Sequence, residues 1–85
     1  MLTRDLSIEL APLGITINSI APGAIETPIN KALLNDPPKL KALLENIPLK
    51  RLGEPSDVAS VAVFLASGDS GWLTGETLLA SGGLR

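Results

Sequence analysis

Leu2, Leu6, Leu10 and Leu13 recur at helical spacing with Ile8 beside them, while Arg4, Asp5 and Glu9 take the other face. The spacing predicts an amphipathic helix that opens the chain and is closed by Pro12 and Gly14. Met1 and Leu2 already lie within the pattern, so it reads as a helix whose beginning precedes this chain. Ile15 to Ile20 is short, β-branched and bounded by Gly14 and by Pro22-Gly23, which predicts a buried strand. A loop through Thr27-Pro28 follows, and Ile29 to Leu34 has the composition of a short helical turn.

Asp36 is a helix cap followed by Pro37 at the first helical position, and Leu40, Leu43, Leu44 and Ile47 continue at i, i+3, i+4 and i+7. Pro48 stops that helix. Arg51-Leu52-Gly53 reads as a turn, and Glu54-Pro55-Ser56-Asp57 supplies acids and a proline where a helix N-terminus favours them. Val58, Val61, Ala62 and Leu65 form the next stripe. Ala59, Val63 and Phe64 widen it, which predicts cover on more than one side. After a polar turn over 67–71, Trp72 to Gly75 leads into a second strand over Glu76 to Ser81, ended by Gly82-Gly83.

The order is helix, strand, helices, strand. Two strands separated by helices imply a parallel crossover unit of an α/β fold. Parallel strands are normally buried on both faces in sheets of about five or six strands. With two strands, open edges and bare helix faces remain, so a preceding segment or another copy of the chain is expected to complete the sheet. The 85 residues therefore read as one partial domain.

Composition narrows the chemistry. The chain is 45% hydrophobic, mostly aliphatic, which sets disorder aside. A net charge of −2, with four Lys and three Arg spread along the chain, leaves no footprint for nucleic acid. No window approaches the roughly 18 apolar residues of a membrane span, and a cytoplasmic protein is expected. Absence of cysteine and histidine removes disulfides, thiolate metal sites and the commonest general base, and the acids show no metal-binding spacing. No tyrosine is present either.

The stretch Asn18-x-Ile20-x-Pro22-Gly23-x-Ile25-x-Thr27 resembles the strand-to-loop signature near the C-terminus of classical short-chain dehydrogenases/reductases. It is followed, in the same order and spacing as in that family, by Pro48-Leu49-x-Arg51-x-Gly53-x-Pro55-x-Asp57-Val58-Ala59, by Phe64-Leu65-Ala66-Ser67, by Thr74-Gly75 and by Gly82-Gly83. The likeness runs from about Leu2 to Leu84 and implies the C-terminal part of a Rossmann-like, doubly wound parallel sheet. Thr27-Pro28-Ile29-Asn30 and Asn35-Asp36-Pro37 look similar to glucose-dehydrogenase-like members, while acyl carrier protein reductases share most of the remaining pattern.

The resemblance implies that Pro22, Gly23 and Ile25 contact the nicotinamide end of NAD or NADP, and that Thr27 offers a hydroxyl to the cofactor. A proline turn would hold backbone groups at fixed positions, and glycine would let a planar ring approach. Each residue also has a plainer reading. Pro22-Gly23 suits any turn after a strand, Thr27 suits a local bond or a cap before Pro28, and Asn18 suits a structural role. By the same resemblance Ile29 to Lys50 matches a substrate lid, although its leucine stripe is equally a packing face. Val58 to Ser67, Leu78 to Arg85 and the helix ending near Pro12 look like subunit interfaces of a homo-oligomer, or they pack within one subunit. Ser81 stands where the family commonly has Asp.

The family moves a hydride between nicotinamide and a carbonyl or alcohol carbon of a small molecule, and uses a Tyr-x-x-x-Lys pair and a serine for the proton. Neither that pair nor a glycine-rich pyrophosphate turn occurs in these 85 residues. No catalytic residue and no metal ligand is assigned. Two functions stay open: the C-terminal portion of an NAD(P)-dependent oxidoreductase, inactive alone, or a non-catalytic self-association module derived from one.

Overall fold

The computed structural model describes residues 2–28 and 31–84. Helix α1 spans Leu2–Leu10 and tightens into a 3₁₀ turn over Ala11–Leu13. Pro12 cannot donate to the helical ladder, and Gly14 at φ 74° closes the turn with its N–H on the Ala11 carbonyl. Strand β1 is Ser19–Pro22 and β2 is Thr77–Ala80. Between them lie α2 (Lys31–Leu34), α3 (Pro37–Glu45) and α4 (Pro55–Ala66), with a second 3₁₀ turn over Gly68–Ser70. Ile29 and Asn30, expected in the short helical turn, lie outside the described residues. Asp36 caps α3 by accepting from the Lys39 N–H, with Pro37 next to it, as its sequence predicts.

The strands pair in parallel, with Ser19 opposite Thr77 and Pro22 opposite Ala80. The expected strand at 15–20 is displaced towards the C-terminus. Its first half forms no strand ladder and is held by single bonds, chiefly to the turn before β2. Thr74 Oγ1 accepts from the Ile17 N–H at 3.0 Å, and Asn18 bridges to the Leu73 carbonyl and the Glu76 N–H. Asn18 is thus structural. The turn it grips contains Gly75 at φ 75°, whose N–H donates to the Ile17 carbonyl at 2.8 Å. Helix α1 closes over the same turn through Ser7, 1% exposed, and reaches β1 through a hydroxyl contact between Thr3 and Ser19.

Helix α4 packs on both strands with one face. The wider cover expected from its apolar composition is missing, with Val63 70% and Phe64 40% exposed. Leu2, Leu13 and Leu79 are also largely bare, Trp72 is fully exposed, and Ile47 is the one fully buried apolar side chain among the described residues. The accessible surface is 6118 Å², against about 4,800 Å² for a self-contained protein of this mass. The radius of gyration is 15.8 Å, where a compact chain of this length has about 12 Å. Local structure is complete; burial is not. Among the described residues no helix is long and apolar enough to cross a membrane.

Candidate functional site

Both strands run the same way, so their carboxyl ends open side by side. A cleft of about 160 Å³ lies at this end, walled by Ala24 and Ile25 after β1, Ala80 at the end of β2 with Ser81 and Gly82 after it, Leu49, Arg51 and Gly53 from the α3–α4 connection, and Asp57 in the first turn of α4. Ligand pockets typically enclose about 300–1,000 Å³. This cleft is therefore the size of part of a site.

The four residues expected at a cofactor hold different positions. Ile25 lines the cleft directly and forms an isolated parallel bridge with Gly53, in which the Glu26 N–H donates to the Gly53 carbonyl at 2.7 Å and the Gly53 N–H to the Ala24 carbonyl at 2.9 Å. Gly53 leaves room for the Ile25 side chain, whose Cδ1 would lie 2.6 Å from a Cβ there and would have to turn aside. Pro22 closes β1 and is exposed. Gly23 follows, its N–H on the Ala80 carbonyl at 3.0 Å. Its lack of a side chain lets the Ser81 backbone approach, because a Cβ would meet Ser81 Cα and Cβ at 2.8 Å. Thr27 is half-buried two residues beyond Ile25, outside the cleft lining.

One pair in the cleft wall has a geometry that the sequence pattern does not specify. Arg51 donates from Nη1 to Asp57 Oδ2 at 2.8 Å and from Nη2 to Oδ1 at 3.2 Å, and Asp57 Oδ2 also accepts from the Glu54 N–H at 2.8 Å. The aspartate ties the start of α4 to the turn that carries Gly53. These bonds, the guanidinium first, hold the Asp57 carboxyl down to about 2 from 3.8, and the same contact raises Arg51. A depressed carboxylate pKa contributes stability above its ordinary value and loses it as pH falls through the folded value. Acid titration is therefore expected to loosen the Gly53–Ile25 bridge as pH falls from about 4 to about 2. Asp57→Asn should lower the denaturation midpoint at neutral pH and flatten its dependence across that window. An unchanged profile in the variant would show that other carboxylates control acid stability. Spacing hints at the pair, because Arg51 and Asp57 flank a turn, but its bidentate geometry is visible only in three dimensions.

The whole chain, residues 1–85, matches the family described as enoyl-(acyl carrier protein) reductase. It is 47% identical over 83 residues to glucose 1-dehydrogenase of Gluconobacter oxydans, covering 98% of this chain and 31% of that protein. The fold is similar to a crystal structure from Agrobacterium tumefaciens with bound NADP, provisionally assigned as a 2-deoxy-D-gluconate 3-dehydrogenase. That match has a TM-score of 0.91 and 44% identity, and covers 98% of this chain and 34% of the other. It is also similar to 4-hydroxyisoleucine dehydrogenase complexed with NADH, with a TM-score of 0.94, 27% identity, and 99% and 35% coverage. The chain spans about a third of the length of these relatives. Matched from end to end by the family, and carrying its parallel strands and glycine turns, the chain belongs to the short-chain dehydrogenases/reductases.

Proposed function

We propose that these 85 residues are the C-terminal portion of an NAD(P)-dependent short-chain oxidoreductase acting on a small carbonyl or alcohol substrate, and that they form one partial domain. The observation that carries this reading is the cleft at the carboxyl ends of β1 and β2, with Ile25 in its wall and Pro22-Gly23 fixed behind it. The chemistry of the lining fits one end of a dinucleotide, since Ala24, Ile25 and Ala80 offer an apolar wall to a ring. When bound, nicotinamide supplies the hydride that is exchanged with substrate carbon. Pro22, Gly23 and Ile25 orient the ring, and Thr27 donates its hydroxyl to the cofactor. Helix α3 covers the substrate side, and α4 with β2 forms the homo-oligomer interface. Proton transfer belongs to residues outside this chain, which has neither tyrosine nor histidine.

A chimera tests this. With the chain in place of the matching third of the Gluconobacter glucose 1-dehydrogenase, NAD(P)-dependent turnover is expected, and Thr27→Val should raise KM for dinucleotide about tenfold, the value of one hydrogen bond. The 85-residue chain alone should show no turnover. A folded chimera that binds no dinucleotide would sink the reading. The second reading, a self-association module, draws on the open strand edges and the bare faces of α1 and α4. A discrete dimer in light scattering, with a chimera that binds no cofactor, would favour it.

A further inference from the structure

The tripeptide Ser81-Gly82-Gly83 touches two segments far from it in sequence. On one side the connection out of α3 settles onto the glycines. The Leu49 N–H donates to the Gly82 carbonyl at 3.0 Å. A Cβ on Gly82 would lie 3.0 Å from Ile47 Cγ2, and one on Gly83 would lie 2.7 Å from Pro48 Cγ. Both glycines sit at positive φ, 63° and 95°, so the backbone curls around Ile47 and Pro48 in a way side chains oppose. On the other side the Ser81 backbone rests on Gly23, at a distance that excludes a Cβ. Ser81 closes its own turn, Oγ donating to the Leu84 carbonyl at 2.8 Å.

We propose that Ser81-Gly82-Gly83 is a positioning latch that couples the C-terminal end of α3 to the loop after β1, so that displacing Ile47 and Pro48 also displaces Gly23 to Glu26. Displacement passes through these contacts because each is already at the limit of approach, the glycines against Ile47 and Pro48 and the Ser81 backbone against Gly23. Leu49, Ser81, Gly82 and Ile25 line the same cleft, so the coupled segments meet where a ligand would sit. A cover helix and a ring-binding loop joined in this way would move together. The functional meaning rests on the proposed cofactor role of the loop; the coupling itself is measured without ligand, so the two fail separately.

Amide hydrogen exchange on the cofactor-free chimera, which supplies the rest of the sheet, tests the latch. Gly83→Ala, which drives a methyl into the Pro48 ring, is expected to accelerate exchange about tenfold at Leu49 and also at Glu26 and Gly53. Amides inside α4 should be unaffected. Adding Pro48→Gly removes the ring that is struck and should restore the steric share of the lost protection at all three positions together, while the share owed to a side chain at φ 95° persists. Acceleration confined to Leu49 overturns the coupling. So does acceleration that Pro48→Gly leaves unreversed, or an unmodified chimera in which Leu49, Glu26 and Gly53 are already unprotected. Intact coupling together with a chimera that binds no dinucleotide would remove the cofactor role and leave the latch.

Discussion

Gly75→Val is expected to cost about 2–5 kcal/mol, the sum of about 1–2 for a left-handed backbone with a side chain and about 1–3 for overpacking. Gly75 sits at φ 75°, a conformation β-branched residues almost never adopt. The new Cβ would stand 2.7 Å from Ser7 Oγ and 3.1 Å from Arg4 Nη1. Arg4 is long and can swing aside. Ser7 cannot, being 1% exposed with its hydroxyl on the Arg4 carbonyl at 2.6 Å. Helix α1 must then lift off, and the Gly75 N–H loses the Ile17 carbonyl that aligns β1 with β2. Urea denaturation should show a midpoint lower by about 2 M, or a chain unfolded without denaturant. Adding Ser7→Ala removes the struck oxygen and should recover the steric share while the backbone share persists. A midpoint unchanged by Gly75→Val would mean that α1 does not lie over this turn.

The next largest effect is expected at Gly23, where Gly23→Ala places a methyl 2.8 Å from both Ser81 Cα and Cβ. No rotamer relieves a clash with backbone. The strand ends must separate, weakening the Gly23 N–H bond to the Ala80 carbonyl, and a loss of about 2–3 kcal/mol follows from overpacking plus one hydrogen bond. Because the separated ends wall the cleft, the chimera carrying Gly23→Ala should also bind dinucleotide more weakly. Adding Ser81→Gly removes the side-chain half of the clash and leaves the backbone half, so recovery should be partial. Full stability in the single variant would contradict the close crossing.

The Gly23 case shows why some of this molecule is legible in its sequence and some is not. Local causes leave local marks. Asp36-Pro37 announces α3, Pro12 and Gly14 end the first helix, and the leucine stripe of α3 points to Ile47, which is indeed buried. Family spacing identifies the loop through Pro22, Gly23, Ile25 and Thr27. The reason for Gly23, however, is Ser81, 58 residues later, and no window contains both. Strand β1 begins at Ser19, not Ile15, because Thr74 takes the Ile17 N–H from across the chain and the Asn18 side chain holds the Leu73 carbonyl and the Glu76 N–H, in place of a backbone ladder. The Arg51–Asp57 pair is closer in sequence, yet both residues carry ordinary reasons to be where they are, a turn cation and a helix N-terminal acid. The wide apolar surface of α4 signals a need for cover, which the strands satisfy on one side only.

Trp72 is the single tryptophan, it stands wholly in water, and the chain has no tyrosine to transfer excitation to it. Its emission under ultraviolet light therefore comes from one solvated indole. Any partner that seats over the turn between α4 and β2 would shift that emission to the blue and shield it from soluble quenchers, so the chain carries its own optical report of being covered.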